Sequence, residues 1–224
     1  MKTKEQEEAR RLRAEGRSVK EITRSLGVAR SSVSRWVEAV PLTDAQRRTL
    51  ADRSGKGRLK GSAANKANGH RRRAAYQEEG RARAREREDS YASGCMLYWA
   101  EGEKCRHSVA MSNSDPELLA YFAKFLREHF NVGDERFRVH CNLFADHVAR
   151  QQEVEQFWLT TLDLPSTSLR KSVVNTYSKY SAKKRINKLP YGTCKLVVND
   201  TRIVQTIYGS IQEHAGFERP EWLD

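Results

Sequence analysis

The stretch "RFRVHCNLF" places Arg136, Arg138, His140 and Asn142 in alternation with Phe137, Val139, Cys141 and Leu143. As a strand of period two it would present one apolar face and one face of cationic and hydrogen-bonding groups. Arginine offers two donors to the paired acceptors of a guanine edge, asparagine a donor and an acceptor to an adenine edge, and arginine also pairs with phosphate. "CRHSVAMSN" repeats the pattern less cleanly, with Arg106 and Ser108 on the side away from Val109 and Met111. "GTCKLVVN" turns Thr193 and Lys195 outward from Cys194, Leu196 and Val198, with Val197 as the exception. A fourth cluster, Arg71, Arg72 and Arg73, is the densest run of cations and suits phosphates. Metal ligation is the competing chemistry, since Cys105 and His107 could meet His140 and Cys141. The usual zinc spacings are absent, however, and the four cysteines Cys95, Cys105, Cys141 and Cys194 read by default as reduced thiols.

The overall charge agrees with a polyanionic partner. In 224 residues, 41 Lys+Arg oppose 29 Asp+Glu, a formal net charge of +12. Nucleic acid is the expected partner for such an excess, against the alternative of a basic surface serving solubility alone. No run approaches the roughly 18 apolar residues of a membrane span, and the start has no signal-peptide core. The expected location is the cytoplasm, on the nucleoid, with no membrane partner.

These residues must be held by elements of three kinds, and the pattern predicts an α+β chain in three parts. Residues 1–40 read as three short helices, the second capped by Ser18 with Glu21 in capping-box position and followed by Gly27. Residues 41–89 have almost nothing apolar to bury. From Arg53 to Arg85 there are 11 basic residues against two acids. This is expected to be a basic arm or linker, partly helical, ordering along phosphates. Residues 90–224 hold the core, in the order αβαβαββα, with the sheet's polar face uncovered.

The N-terminal layout resembles the compact helix-turn-helix of resolvases and many bacterial regulators. The resemblance implies a last helix in the major groove, its first residues at the base edges. Those residues are Arg30, Ser31, Ser32, Ser34 and Arg35, with arginine for guanine and serine for bases or phosphates. Ala29 stands where a serine or threonine cap is usual.

Within "SGCMLYWAEGEK" an apolar helix-length run ends on an acid and a glycine. "GCMLYWAEG", Gly94 to Gly102, with "SNSDPELLAYFAKFL" and "QFWLTTLDLP" behind it, resembles the single-motif LAGLIDADG homing endonuclease family over roughly residues 91–214. The resemblance implies a homodimer through the Gly94–Gly102 helix and a sheet astride the DNA. Leu97 and Ala100 fall on the motif's apolar and small positions, Glu101 on its metal-binding acid, and Gly102 on its last glycine. Magnesium would then bridge Glu101 to the scissile phosphate, with Lys195 the basic residue nearest that phosphate. Met96 departs from the small mid-motif residue, which shifts the small surface to Gly94 and Cys95. The expected function is sequence-preferring binding of double-stranded DNA, as a homodimeric magnesium-dependent endonuclease. The alternative is a non-cleaving regulator or phage-type accessory factor on the same scaffold, needing no cofactor. Binding of RNA through the arginine-rich arm is a third reading, weakened by the lack of paired aromatics on the sheet.

Overall fold

A computed structural model describes residues 3–175 and 189–224. The chain is a mixed α+β protein, and it divides into Met1–Asn68 and Gly69–Asp224. Each unit is described by itself.

In the first unit α1 (Thr3–Ala14), α2 (Val19–Leu26) and α3 (Arg30–Val37) close around Ala9, Ile22, Val28, Val33 and Val37. Ser18 caps α2 as the sequence predicts. Its side chain accepts from Glu21 N at 3.2 Å, and Glu21 accepts in return from Ser18 N at 2.8 Å. Gly27 ends α2 at φ 62°, where a β-carbon would be strained, and so permits the sharp entry to α3. Ala29 gives α3 no side-chain cap.

The expected arm is instead one helix, α4 (Asp44–Ala84), and the division between units falls inside it rather than at a linker. Thr43 and Gln46 start it with reciprocal bonds of 2.9 and 3.2 Å, and Gln46 Nε2 donates to the Ala14 carbonyl. Its many alanines and arginines are good helix formers, and no proline interrupts them. Its second half is held by burial: Arg73, Gln77, Gly80 and Ala84 all face inward.

The second unit is built on a five-stranded sheet of order β1-β2-β5-β3-β4. The strands are β1 (Gly102–Glu103), β2 (Val109–Asn113), β3 (Phe137–Phe144), β4 (Val173–Asn175) and β5 (Thr193–Val198). The β3–β4 pair is parallel and the other pairs are antiparallel. Helices α5 (Asp89–Glu101), α6 (Pro116–Phe130), α7 (Gln151–Thr161) and α8 (Thr201–Ala215) supply the rest. The order αββαβαββα differs from expectation only by the two-residue β1. Asp115 caps α6 with Pro116 at its first position, as read from the sequence.

The core lies between the inner sheet face and these helices. Phe137, Val139, Cys141 and Leu143 are buried, and so are Cys194, Leu196 and Val198 on the neighbouring strand. Helix α8 is buried all round from Ile203 to Gln212. Gln77 Nε2 donates to Gln205 Oε1 at 2.8 Å and Gln212 Nε2 to Gln77 Oε1 at 3.0 Å, satisfying amides that burial would otherwise penalise.

Candidate nucleic-acid interface

The outer sheet face is positioned by strand register. Ser112, Lys195 and His140 sit opposite one another across β2, β5 and β3. One row away lie Val197 and Arg138, and on the other side Thr193 and Asn142, joined by a 3.4 Å hydrogen bond. Arg138, His140 and Asn142 are all half-buried, the expected state of side chains standing on an uncovered sheet. Burial is the main cause holding His140 below the ordinary histidine range, and the charges of Lys195 and Arg170 add to it. The unfolded chain therefore takes up this proton first as pH falls. The neutral ring's contribution to stability is lost as pH drops below about 6.5 toward the folded value. Lys195→Met removes a cation opposite the ring and is expected to raise the His140 pKa in an NMR titration. An unmoved titration would leave burial and Arg170 as the causes.

Lys195 does not face Glu101. Its Nζ donates to Glu103 Oε2 at 2.7 Å, and Ser112 Oγ donates to Glu103 Oε1 at 3.2 Å. Glu103 is thus a site residue that the sequence analysis missed. Glu101 itself is exposed at the last turn of α5, with Asn113 Nδ2 donating to Oε2 at 3.2 Å. Gly102 follows because a β-carbon there would come within 2.3 Å of the Tyr98 ring. The Tyr98 hydroxyl in turn donates to the Glu103 carbonyl.

The carbonyls at the end of α5 are already occupied. Lys104 Nζ donates to those of Trp99 at 2.7 Å and Gly102 at 2.6 Å, placing a cation on the negative end of the helix. Desolvation lowers the Lys104 pKa, with Glu101 pulling the other way. A magnesium ion beside Glu101 would meet one carboxylate per chain and a competing ammonium. One carboxylate with waters and a phosphate is an ordinary magnesium shell, and the Lys104 ammonium is the group that would compete with the ion there.

On α5, Tyr91, Gly94, Cys95 and Tyr98 face inward. Gly94 and Cys95, expected to form the small surface of a dimer seam, are spent inside the chain: a β-carbon on Gly94 would lie 2.1 Å from the Phe125 ring. The uncovered side carries Ser93 and Ala100, with Met96 and Leu97 half-buried between them.

The remaining expected residues are scattered. Arg30, Ser31, Ser34 and Arg35 are exposed on α3, with Ser32 half-buried. Arg71 and Arg72 are exposed on α4, whereas Arg73 is 7% exposed and turned into the second unit. Arg136 forms an ion pair with Asp200 at 2.6 Å. Arg106 is exposed and Ser108 half-buried in the segment before β2. His140 and Cys141 lie on opposite faces of β3, so they cannot both join Cys105 and His107 as ligands of one ion. Cys95, Cys141 and Cys194 are buried free thiols; burial pushes Cys95 up to about 12 and Cys141 to about 11.

No protein-family model matches the chain, and comparison with curated proteins and solved structures gives no match. Among the described residues no helix is long and apolar enough to cross a membrane.

Proposed function

We propose that this protein binds double-stranded DNA with sequence preference, as a homodimer. The observation that carries the reading is the outer sheet face, where Arg138, His140 and Asn142 of β3 stand opposite Val197, Lys195 and Thr193 of β5 and burial alternates along both strands. The N-terminal unit supports it as a helix-turn-helix, with Arg30, Ser31, Ser34 and Arg35 outward on its third helix. The second unit is read as a LAGLIDADG-type scaffold. Two copies would meet through Ser93, Met96, Leu97 and Ala100 of α5, bringing two Glu101 carboxylates to one axis.

A non-cleaving regulator or accessory factor is the form the geometry favours. Lys104 supplies positive charge where a nuclease would hold its metal, and Lys195 is neutralised by Glu103. The second reading is a magnesium-dependent endonuclease, favoured by the exposure of Glu101 at the foot of the seam helix. The test is to select a duplex site from a random pool and incubate it with the protein in magnesium or manganese. The regulator holds the site uncut. Cleavage by the wild type that Glu101→Gln abolishes, with binding retained, would establish the endonuclease. Failure to select any duplex would remove both.

Glu103→Gln gives a sharper check of the sheet. Removing that carboxylate frees Lys195 for a phosphate and deletes a repulsive charge. Affinity for duplex DNA near physiological salt is expected to rise by roughly tenfold, with a steeper salt dependence. Weaker binding in a filter or anisotropy titration would take this part of the sheet out of the interface.

A further inference from the structure

We propose that the cleft between the second half of α4, the segment before β2 and the start of α8 binds a phosphate group through Arg73, Arg72 and His107. The cleft has a volume of about 490 Å³, enough for a phosphate with its ester substituents. Arg73 lies in its wall. It is 7% exposed, yet it forms no ion pair among the described residues and donates one hydrogen bond, from Nε to the Leu223 carbonyl at 2.6 Å. A guanidinium carries five donors and cannot shed its charge; no Arg73 nitrogen is both buried and without a partner, so the donors that Leu223 does not take open toward the cleft, where an anion would pair with them.

The walls agree. Gly69 lines the cleft, and a β-carbon there would sit 3.2 Å from Arg73 Nη1, so the missing side chain keeps that donor open. Arg72 lines the same cleft and is exposed. His107 Nδ1 lies 3.1 Å from the Thr201 hydroxyl, which leaves Nε2 as the ring's second polar atom. The His107 pKa is lowered by burial first and then by Arg106 and Arg73, which places positive potential in the cleft. Asp200 also lines the cleft, and it and the negative groups nearby are committed to other partners. Asp200 pairs with Arg136 and caps α8 through the amides of Arg202 and Ile203. Glu79 holds Arg202 at 2.6 Å. Asp224 attracts Arg73 from beyond ion-pair distance. What remains is an excess of cations around a cavity with hydrogen-bond donors, the chemistry of an oxyanion site.

The inference rests on the DNA-binding reading only for the source of the phosphate, a DNA backbone as against a free phosphate. The test follows the His107 ring by NMR in the full chain while inorganic phosphate is added at constant ionic strength, with chloride as the comparison. A saturable shift is expected, together with a rise in the His107 pKa as the anion offsets Arg73 and Arg106. Arg73→Met and the surface variant Arg72→Ala should each weaken phosphate by about tenfold or more, since each removes charge-assisted bonds. Arg24→Ala, on α2 of the other unit, should change nothing. A response equal to that of chloride, or one indifferent to Arg72→Ala, overturns the site even where Arg73→Met fails to fold. A short duplex that displaces the phosphate identifies the source as DNA. A duplex that binds without displacing it supports the site with a free phosphate as ligand. Saturable phosphate binding with no duplex binding leaves the cleft standing while the DNA reading fails.

Discussion

Raising the salt from about 50 to 200 mM is expected to weaken binding to duplex DNA by on the order of a thousandfold. The magnitude comes from counting cations that are free to meet phosphates, not from the net charge of +12. Many arginines are already spent: Arg81 and Arg85 on Glu213, Arg202 on Glu79, Arg136 on Asp200. Arg30, Arg35, Arg72, Arg106 and Arg138 form no ion pair among the described residues, and all but the half-buried Arg138 are exposed. Two chains of a dimer double that set, which brings the total into the range of about six to ten phosphate contacts where losses of this size occur. Fluorescence anisotropy across a salt series reads the slope. A nearly flat line would mean that these cations stay in solvent and that the sheet face is a solvated surface.

Specific contacts should show a different signature. Replacing Arg35 or Arg30 by alanine is expected to relax one end of the selected site, and Arg138 or Asn142 its centre, by roughly 1–3 kcal/mol for each lost base contact. Where the same arginine also reaches a phosphate, that share of the loss falls on all sequences alike.

How far the sequence disclosed this arrangement depends on the range over which each signal acts. β3 was fully legible, because its alternation of apolar and polar residues is the burial pattern itself. The caps of α2, α4 and α6 were legible for the same reason, each being written within four residues. Glu103 was not, since a two-residue strand has no period to detect and its partner Lys195 is distant in sequence. Nor did the apolar run of α5 reveal which side would pack at home. Gly94 could have served a dimer, and it is Phe125 of α6 that claims it. Composition misled most in residues 41–89, where cations dominate and few side chains are apolar. The signals that bury the second half of α4 are a glycine and a glutamine whose complements lie on α8. Gln205, Thr206, Ser210 and Gln212 look solvent-facing in an amphipathic reading, yet all are buried.

That crossing of α4 and α8 should make one methyl group decisive. A β-carbon on Gly80 would lie 1.9 Å from the Thr206 carbonyl oxygen, and one on Gly209 would lie 1.9 Å from the Gln77 carbonyl oxygen. Both obstacles are backbone, so no rotamer change relieves them and the helices must part. Parting would stretch the Ser210 Oγ to Gly80 carbonyl bond of 2.9 Å and the buried links of Gln77 to Gln205 and Gln212. Alanine gains about 1 kcal/mol of helix propensity over glycine. Overpacking costs roughly 1–3 kcal/mol, and buried amides left without partners cost about 1–3 kcal/mol each. The cost wins, and Gly80→Ala or Gly209→Ala is expected to destabilise the second unit by about 3 kcal/mol or more. Gly61, on the same α4, has nothing within 4 Å of its would-be β-carbon, so Gly61→Ala should stabilise its stretch of helix by about 0.5–1 kcal/mol. Hydrogen exchange separates the two locally, through the amides of α8 for the first pair and those of residues 50–65 for the second. Unchanged protection of α8 in Gly80→Ala would mean that α4 does not lie against it, and the buried glutamine network would fall with it.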